Sequence, residues 1–290
     1  MSTTVLFIIN PISGKRAGLK AKSIIEKKID SNLFSYKIEE TQYGGHGTEI
    51  AESNKNNFDI IVAIGGDGTI NEVAKGLAGC SKVKMGIVPT GSGNGLARHL
   101  NIPLKMDEAI EAIFSDKCTA IDTCFINNNF FINVAGSGFD AFVAYLFNSG
   151  SGRGLFNYVK ITVKEFFRYK PLVYTITSDT ESVQKTALSV SFANSSQFGN
   201  NAYIAPKANI SDGLIDLVIV NKFPIWKTPF LAVRLFNKTL YKSKHIETLQ
   251  AKQFTIDCNG KNYVHYDGES LEMDFPLTVK VSDKKLMVIC

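Results

Sequence analysis

The sequence predicts an α/β domain built on an open parallel sheet, followed by an antiparallel β-sandwich domain. Three observations lead to this fold class. Apolar runs alternate with segments of helical period over residues 1–120, strand-like runs separated by turn residues follow, and glycine-rich turns come directly after several early runs. Alternating strands and helices indicate a parallel sheet with helices on both faces, whereas successive strands joined by turns indicate antiparallel pairing.

The first domain is expected to cover residues 1–122. Its strands are short and rich in β-branched residues, and each is followed by a segment with the 3.6-residue period of a helix. The predicted strands are Val5–Ile9, Tyr36–Glu40, Ile60–Ile64 and Lys84–Val88, and the predicted helices lie near Ala17–Ile29, Gly47–Asn54, Ile70–Leu77, Gly93–Leu100 and Asp107–Phe114.

The second domain is expected to cover residues 123–290. Turn residues such as Asp212-Gly213 and Asn259-Gly260 separate its strands, and two helices interrupt them, near Phe156–Phe167 and near Thr228–Leu240. The sequence leaves open whether the last strand packs back on the first domain. The strand-like runs are Thr119–Ile126, Asn128–Ala135, Leu172–Ser178, Thr186–Ala193, Leu214–Val220, Phe254–Cys258, Tyr263–Tyr266 and Leu277–Val281.

Composition excludes several classes of protein. The 290 residues carry 32 Lys and Arg against 27 Asp and Glu, and these basic residues are mostly scattered, so charge does not indicate a nucleic-acid partner. No apolar run reaches the roughly 18 to 20 residues of a membrane-spanning helix. The run Val5–Ile9 is too short for a signal peptide. The five cysteines lack zinc-site spacing, so reduced cytosolic thiols are expected.

Three segments of the first domain share one design, in which a strand runs into a glycine-rich turn and a helix begins at once. They are Ile8–Lys15, Ile64–Thr69 and Val88–Asn94. Such turns direct backbone N–H groups out of the carboxyl edge of a parallel sheet, where phosphate groups bind. Glycine's conformational freedom alone explains any one of them. Three in succession, with Asp67 placed to hold a metal–phosphate complex, favour a phosphate site.

These motifs resemble the catalytic domain shared by diacylglycerol kinases, sphingosine kinases and their bacterial relatives. The resemblance rests on Gly65-Gly66-Asp67-Gly68-Thr69 and on Pro89-Thr90-Gly91-Ser92-Gly93-Asn94, which follow Asn10-Pro11 in the order of that family. It continues through Gly138-Phe139-Asp140, Ser211–Asp216 and Asp267-Gly268-Glu269 to span nearly the whole chain. It implies a Rossmann-like first domain similar to that of phosphofructokinases and NAD kinases, with the active site in the cleft between the two domains.

The resemblance also implies that ATP and Mg²⁺ are the cofactors. Asp67 would hold the magnesium ion, directly or through water, and would count among the catalytic residues. Backbone groups of the glycine turns would cradle the phosphates. The residues expected at the nucleotide are Asn10, Thr41, Gly66, Asp67, Gly68, Thr69, Glu72, Thr90, Gly91, Ser92 and Asn94.

Two acidic residues are expected to complete the catalytic group. Asp267 and Glu269 follow a strand of alternating type, and residues two apart in an extended turn point the same way. In the family Asp267 would be the general base for the lipid hydroxyl, and Glu269 would support it. A polar turn is the ordinary explanation of this tripeptide, which gains weight only from the other motifs.

Three further sites come from the resemblance. Asp212 and the carbonyl of Leu214 would hold a structural Mg²⁺, although Asp212-Gly213 is also an ordinary hairpin turn. Asp140 would contact a lipid head group at the mouth of an apolar run that is equally a core helix. Arg153 would meet phosphate charge, and a solvated loop explains it equally well.

The function predicted from this resemblance is ATP-dependent transfer of the γ-phosphate to a lipid hydroxyl. The acceptor is either diacylglycerol-like or a sphingoid base. An NAD kinase and a non-catalytic lipid- or nucleotide-binding relative are the alternatives. The expected partner is lipid at a membrane surface, the expected location is cytoplasmic and peripheral at the inner membrane, and a homodimer is one option.

Overall fold

A computed structural model of the protein describes residues 2–14, 17–115, 117–150 and 155–290. Two units have most of their contacts within themselves. The first comprises Met1–Thr123, Gly199–Asn201 and Ser282–Cys290, and the second comprises Cys124–Phe198 and Ala202–Val281. Two short segments from late in the chain therefore belong to the first unit.

Strands and helices alternate through the first unit. They are β1 (Thr3–Ile9), α1 (Ala17–Lys28), β2 (Phe34–Glu40), α2 (His46–Asn54), β3 (Ile60–Gly65), α3 (Asp67–Leu77), β4 (Lys84–Pro89), α4 (Gly95–His99) and α5 (Met106–Ala112). They lead into β5 (Cys118–Ile126), of which the last three residues belong to the second unit.

The second unit consists mainly of strands. They are β6 (Asn129–Phe131), β7 (Val134–Gly138), β8 (Leu172–Ser178), β9 (Ser182–Ala193), β10 (Ile215–Asn221), β11 (Ile246–Ala251), β12 (Gln253–Asp257), β13 (Lys261–Tyr266), β14 (Glu269–Asp274) and β15 (Leu277–Ile289), and the α-helices are α6 (Phe139–Ser149), α7 (Leu155–Phe166) and α8 (Thr228–Phe236).

The sheet of the first unit is parallel, with its strands in the order β2-β1-β3-β4. Residues Val5–Ile9 of β1 are all fully buried. Such continuous apolar runs are required where helices cover both faces of a sheet. The end of β15 adds to this unit, because Val288 pairs in parallel with Met85 of β4.

The strands of the second unit pair antiparallel. The order β14-β13-β7-β9-β8-β12 continues to the first residues of β15, and β9 also pairs with β10, which pairs with β11. Their inner faces share one apolar core that includes Phe131, Tyr174, Phe192 and Phe254. The predicted fold class, a parallel α/β unit followed by an antiparallel β-sandwich, is confirmed.

Two strands of the second unit escaped the sequence prediction, namely β11 and β14, and the apolar run that follows Asp140 forms the helix α6, which was one of its two explanations. The predicted strand Asn128–Ala135 is also wrong in detail, since it is broken into β6 and β7 at Ile132 and Asn133. The break has a physical cause, because the backbone N–H groups of these two residues bind a side chain instead of a neighbouring strand. Within the described ranges, no helix has the length and apolarity needed to cross a bilayer.

Candidate active site

The three glycine-rich turns leave the carboxyl ends of β1, β3 and β4, which are neighbouring parallel strands. Side chains join the first turn to the other two. Asn10 Nδ2 donates to Thr69 Oγ1 at 3.0 Å, and Ser13 Oγ lies 3.0 Å from Thr90 Oγ1. Because parallel strands end at the same edge of a sheet, the three turns form one continuous surface there.

Asp67 is the first residue of α3 and connects the second turn to the third. Its Oδ2 accepts the backbone N–H of Asn94 at 2.9 Å, and its Oδ1 accepts that of Gly95 at 2.8 Å. Burial raises the pKa of Asp67 above its ordinary value of 3.8, and these two hydrogen bonds and the charge of Arg98 offset only part of the rise. A carboxylate fixed in this way suits a cation at a phosphate-binding edge.

Gly66 and Gly91 pack backbone against backbone. A Cβ atom on Gly91 would lie 2.7 Å from the Cα of Gly66 and 3.0 Å from Oδ1 of Asn94, so position 91 has no room for a side chain. That Oδ1 atom is buried and has no hydrogen-bond partner among the residues the structure describes. Because a buried acceptor without a partner is costly, the atom is suited to meet a ligand donor or a cation. Gly68 and Ser92 are exposed beside it.

Glu72 and Thr41 have well-defined structural positions. Glu72 reaches from α3 to the start of α2, where Oε1 accepts the N–H of Gly45, just before the helix, at 2.8 Å and Oε2 accepts that of Gly47, in its first turn, at 3.0 Å. Thr41 follows β2, is buried, and donates its backbone N–H to the carbonyl of Ile9 at 2.9 Å. Glu72 thus supports a glycine-rich loop, and the predicted nucleotide contacts of both residues stay predictions.

A cavity of about 350 Å³ opens beside the first and third turns. Its charged lining residues are two lysines and one aspartate, and Leu104 and Met106 are among its apolar ones. Its lining residues are Gly14, Lys20, Pro89, Thr90, Leu104, Lys105, Met106 and Asp107.

In the second unit, Asp267 lies in the hairpin between β13 and β14. The turn has two residues, Asp267 and Gly268, and both have positive φ, at 45° and 90°. This is the backbone of a type I′ hairpin, so the expected extended turn with two parallel carboxylates is wrong. Glu269 instead begins β14 and is exposed.

The carboxylate of Asp267 accepts three backbone N–H groups. Oδ2 accepts that of Ile132 at 2.8 Å, and Oδ1 accepts those of Asn133 at 2.9 Å and Val134 at 3.1 Å. The N–H of Asp267 donates in return to the carbonyl of Val134 at 3.0 Å. These donors stabilise the negative charge and hold the carboxylate in one orientation.

A buried polar segment supports this arrangement. Asn194 Nδ2 donates to the carbonyl of Ile132 at 2.8 Å, and Ser195 Oγ donates to Oδ1 of Asn133. The backbone N–H groups of Asn194 and Ser195 both donate to the carbonyl of Asn133. This role could not be predicted from local sequence patterns, because the two segments are 62 residues apart.

Glu269 acts on the tyrosine at the other side of the hairpin. Burial, followed by the charge and the hydrogen bond of Glu269, raises the pKa of Tyr266 to about 12. Tyr266 and Glu269 face each other in the strand register. Glu269 therefore lies next to the hairpin, and its predicted supporting role stays a prediction.

Asp140 lies in the first turn of α6 within an internal polar network. Its Oδ2 lies 3.3 Å from His265 Nε2 and accepts the hydroxyl of Ser191 at 3.2 Å. Burial and then the charge of Asp140 raise the pKa of Tyr158 to about 12 and also raise the pKa of Tyr169. Sequence reasoning missed His265, although a histidine inside an apolar strand two residues before Asp267 was an available signal. Contact of Asp140 with a lipid stays a prediction.

The match to known families extends over both units. Residues 4–126 match the family described as "Diacylglycerol kinase catalytic domain", and residues 133–290 match "YegS C-terminal NAD kinase beta sandwich-like domain". A diacylglycerol kinase of Staphylococcus aureus strain JH9 is 30% identical over 219 residues, which cover 74% of this chain and 70% of the relative. The chain belongs to the diacylglycerol kinase family. It is therefore a lipid kinase, a phosphotransferase that uses ATP.

Other relatives agree with this family. The diacylglycerol kinase of Bacillus subtilis strain 168 is 27% identical over 267 residues, covering 90% of this chain and 88% of its own. A solved diacylglycerol kinase of Bacillus anthracis strain Sterne has a TM-score of 0.74 at 21% identity, covering 99% of this chain and 96% of that chain. A solved NAD kinase of Archaeoglobus fulgidus has a TM-score of 0.53 at 13% identity over 100% and 94% of the two chains, a likeness of fold alone.

For a diacylglycerol kinase the implied metal is magnesium. Within the described part of the chain, no group of three His, Cys, Asp or Glu side chains could hold a metal ion. Mg²⁺ is commonly bound through one or two carboxylates together with substrate phosphates and water. Asp67, beside the unpartnered Oδ1 of Asn94, supplies oxygen ligands of that kind, so the residues fit the ion.

The remaining predicted sites are Asp212 with Leu214, and Arg153. Asp212 Oδ1 accepts the N–H of Leu214 at 3.0 Å, which closes a local turn before β10. This turn is compatible with the hairpin explanation, and the structural metal at Asp212 and Leu214 stays a prediction. Arg153 lies outside the described residues.

Proposed function

We propose that this lipid kinase transfers the γ-phosphate of ATP to the free hydroxyl of diacylglycerol. The observation that carries the phosphate site is the bond of Asp67 to the N–H groups of Asn94 and Gly95, which joins two glycine-rich turns around one carboxylate. Relatives named diacylglycerol kinase support the acceptor. A sphingoid base is the second candidate, because the sequence of the motif Pro89–Asn94 is closer to sphingosine-kinase patterns.

The nucleotide is proposed to bind at the edge formed by the three turns. The first N–H groups of α3 have no partner within the helix and carry its positive dipole, so they favour the phosphates. The exposed backbone at Gly68 and Ser92 allows a phosphate to approach closely. Magnesium, when bound at Asp67, would neutralise phosphate charge.

Asp267 is proposed to accept the proton of the lipid hydroxyl. A general base has to be held within hydrogen-bond reach of the proton it removes. The three backbone donors from residues 132–134 fix the carboxylate, which supports a positioned base. The proposed role needs a hydroxyl whose proton leaves as the phosphoryl group arrives.

The acceptor is a membrane lipid, and we therefore place the working enzyme at a membrane surface. Peripheral binding of this kind needs apolar contact, basic residues, or both. The homodimer remains a prediction from the sequence alone.

Transfer of labelled γ-phosphate tests this function. The purified protein is given ATP and Mg²⁺ with diacylglycerol, a sphingoid base, monoacylglycerol or NAD⁺ in mixed micelles. Label in phosphatidic acid supports the proposal. Label in a sphingoid phosphate would show that the acceptor is a sphingoid base and not diacylglycerol. Label in NADP⁺ would identify an NAD kinase, and ATP binding without any labelled product would favour the non-catalytic alternative.

A further inference from the structure

Helix α8 carries apolar side chains on its outer face. Trp226, in the turn that leads into the helix, is 70% exposed, and Phe230, Val233 and Phe236 are 71%, 58% and 51% exposed. The spacing of three or four residues places them on one side of a helix. A surface helix of a water-soluble domain carries polar residues on that side, so these side chains indicate a binding surface.

The opposite face of α8 already packs on the second unit. Leu231 and Leu235 contact a core cluster that includes Val134, Val218 and Leu240. The outer apolar residues are therefore not needed to attach the helix to its own domain.

The chain segment that contains α8 carries only positive charges. Residues 217–246 contain no Asp or Glu, and none of the basic residues there forms an ion pair with a carboxylate in the part of the chain that the structure describes. Four of them are exposed and two are half-buried. These basic residues are Lys222, Lys227, Arg234, Lys238, Lys242 and Lys244.

A neighbouring helix extends the same pattern. Phe166, the last residue of α7, packs against Phe223 in a tilted arrangement with 5.2 Å between ring centroids, so the end of α7 lies beside the segment that leads into α8. The exposed residues of α7 and of the two positions after it include three apolar and three basic side chains: Val159, Val163 and Phe167 with Lys160, Lys164 and Arg168. Lys164 and Arg168 each lie within ion-pair distance of Glu165.

We propose that the outer face of α8, formed by Trp226, Phe230, Val233 and Phe236, docks on an anionic phospholipid bilayer. Aromatic and aliphatic side chains would enter the boundary between head groups and acyl chains, and the lysines would lie at the lipid phosphates. A second copy of this chain would bring six positive charges against six others, which disfavours self-association through this face. The proposal rests on the proposed lipid acceptor, because it explains how the enzyme reaches it.

The fluorescence of Trp226 tests this docking directly, because it is the single tryptophan of the chain. Vesicles of phosphatidylglycerol and phosphatidylcholine should shift its emission to shorter wavelength, and brominated acyl chains should quench it. Vesicles of phosphatidylcholine alone, or high salt, should weaken both effects. Sedimentation with anionic vesicles without any shift or quenching would overturn the proposal. A shift that grows with protein concentration in the absence of lipid would replace the bilayer with a second copy.

A double variant, Phe230→Gln with Val233→Gln, tests the contribution of the apolar face. Both side chains are exposed, so thermal stability should be unchanged. Binding to anionic vesicles should weaken at least tenfold, whereas Leu33→Ser, which removes a side chain 60% exposed in the first unit, should leave it unchanged. Equal vesicle binding by all three proteins would contradict the proposal.

Activity with a dispersed acceptor separates this inference from the proposed function. The double variant should phosphorylate a monomeric short-chain diacylglycerol at the wild-type rate and should lose activity on vesicle-embedded diacylglycerol. Wild-type activity of the variant on vesicles would overturn docking through α8 while leaving the kinase intact. If the wild-type protein phosphorylates neither the short-chain nor the vesicle-embedded diacylglycerol, the proposed acceptor is wrong. Trp226 quenching would still report whether α8 docks on the bilayer.

Discussion

The carboxylate of Asp67 accepts the backbone N–H of Gly95 at 2.8 Å, so the start of α3 is bound to the first residue of α4. One side chain thereby holds the second and third glycine-rich turns in fixed positions relative to each other. The same carboxylate is the proposed ligand for magnesium. Its removal should consequently affect both the local structure and the binding of the metal nucleotide.

Asp67→Ala should weaken the binding of Mg²⁺–ATP by at least tenfold and also lower turnover. The reason is the loss of an oxygen ligand at the phosphates. Titration calorimetry with and without Mg²⁺ measures the effect, and Glu52→Ala, which removes an exposed carboxylate on α2, is the control. Unchanged affinity for Mg²⁺–ATP would contradict the placement of the metal.

The pH dependence of magnesium nucleotide binding should follow the Asp67 carboxyl, whose pKa is raised above 3.8 mainly by burial. Protons compete with the metal, so affinity should fall as the pH decreases through the raised pKa. The folded protein holds this proton more tightly than the unfolded chain, so the group's contribution to the free energy of unfolding decreases as pH rises through that window. In Asp67→Asn, the part of both dependences due to this carboxyl should be absent.

Two glycine substitutions separate packing from ligand approach. Gly91→Ala places a Cβ 2.7 Å from the Cα of Gly66 and should lower the free energy of unfolding by about 1–3 kcal/mol. Gly68→Ala meets nothing within 4 Å and lies in the first turn of α3, so stability should be kept. ATP affinity should nevertheless fall in Gly68→Ala, because the phosphates are proposed to approach that backbone. Denaturant titration measures the stability of both variants, and ATP titration measures their affinity. Unchanged ATP affinity in Gly68→Ala would show that the phosphates do not bind at this residue.

Asp140→Ala tests whether this residue serves the internal network or the lipid. Ser191 and His265 would each lose an acceptor, which should lower the free energy of unfolding by about 1–3 kcal/mol. A head-group contact would in addition raise the KM for the lipid without changing the KM for ATP. Reduced stability with both KM values unchanged would remove Asp140 from the substrate site.

The parallel unit was predictable because each of its features is local in sequence. A run such as Val5–Ile9 is typical of a strand buried on both faces, and a glycine-rich turn after it commonly leads into a helix. The edge on which the turns meet follows from parallel pairing. The sequence does not predict which groups form hydrogen bonds across that edge, for example Asp67 with Gly95, because the carboxylate could accept any N–H nearby.

The second unit was harder to predict because its decisive contacts are distant in sequence. Asp267 binds residues 132–134 from 133 to 135 positions away, and His265 meets Asp140 from 125 positions away. The break between β6 and β7 is a consequence of the contact with Asp267, so a prediction based on local pattern gave one continuous strand there. Positive φ at Asp267 likewise depends on the hairpin, which is why the expected extended turn was wrong.

Phosphorylation of diacylglycerol with Asp267 as the base is tested by the rate of phosphatidic acid formation from ATP and a monomeric short-chain diacylglycerol. The rate is compared between wild type and Asp267→Asn, with ATP affinity and thermal stability measured on both proteins. We expect a fall in rate of roughly 100-fold or more with ATP affinity kept, since a positioned base contributes about that factor. A folded Asp267→Asn protein with near-normal turnover, or a wild-type protein that makes no phosphatidic acid, would contradict it.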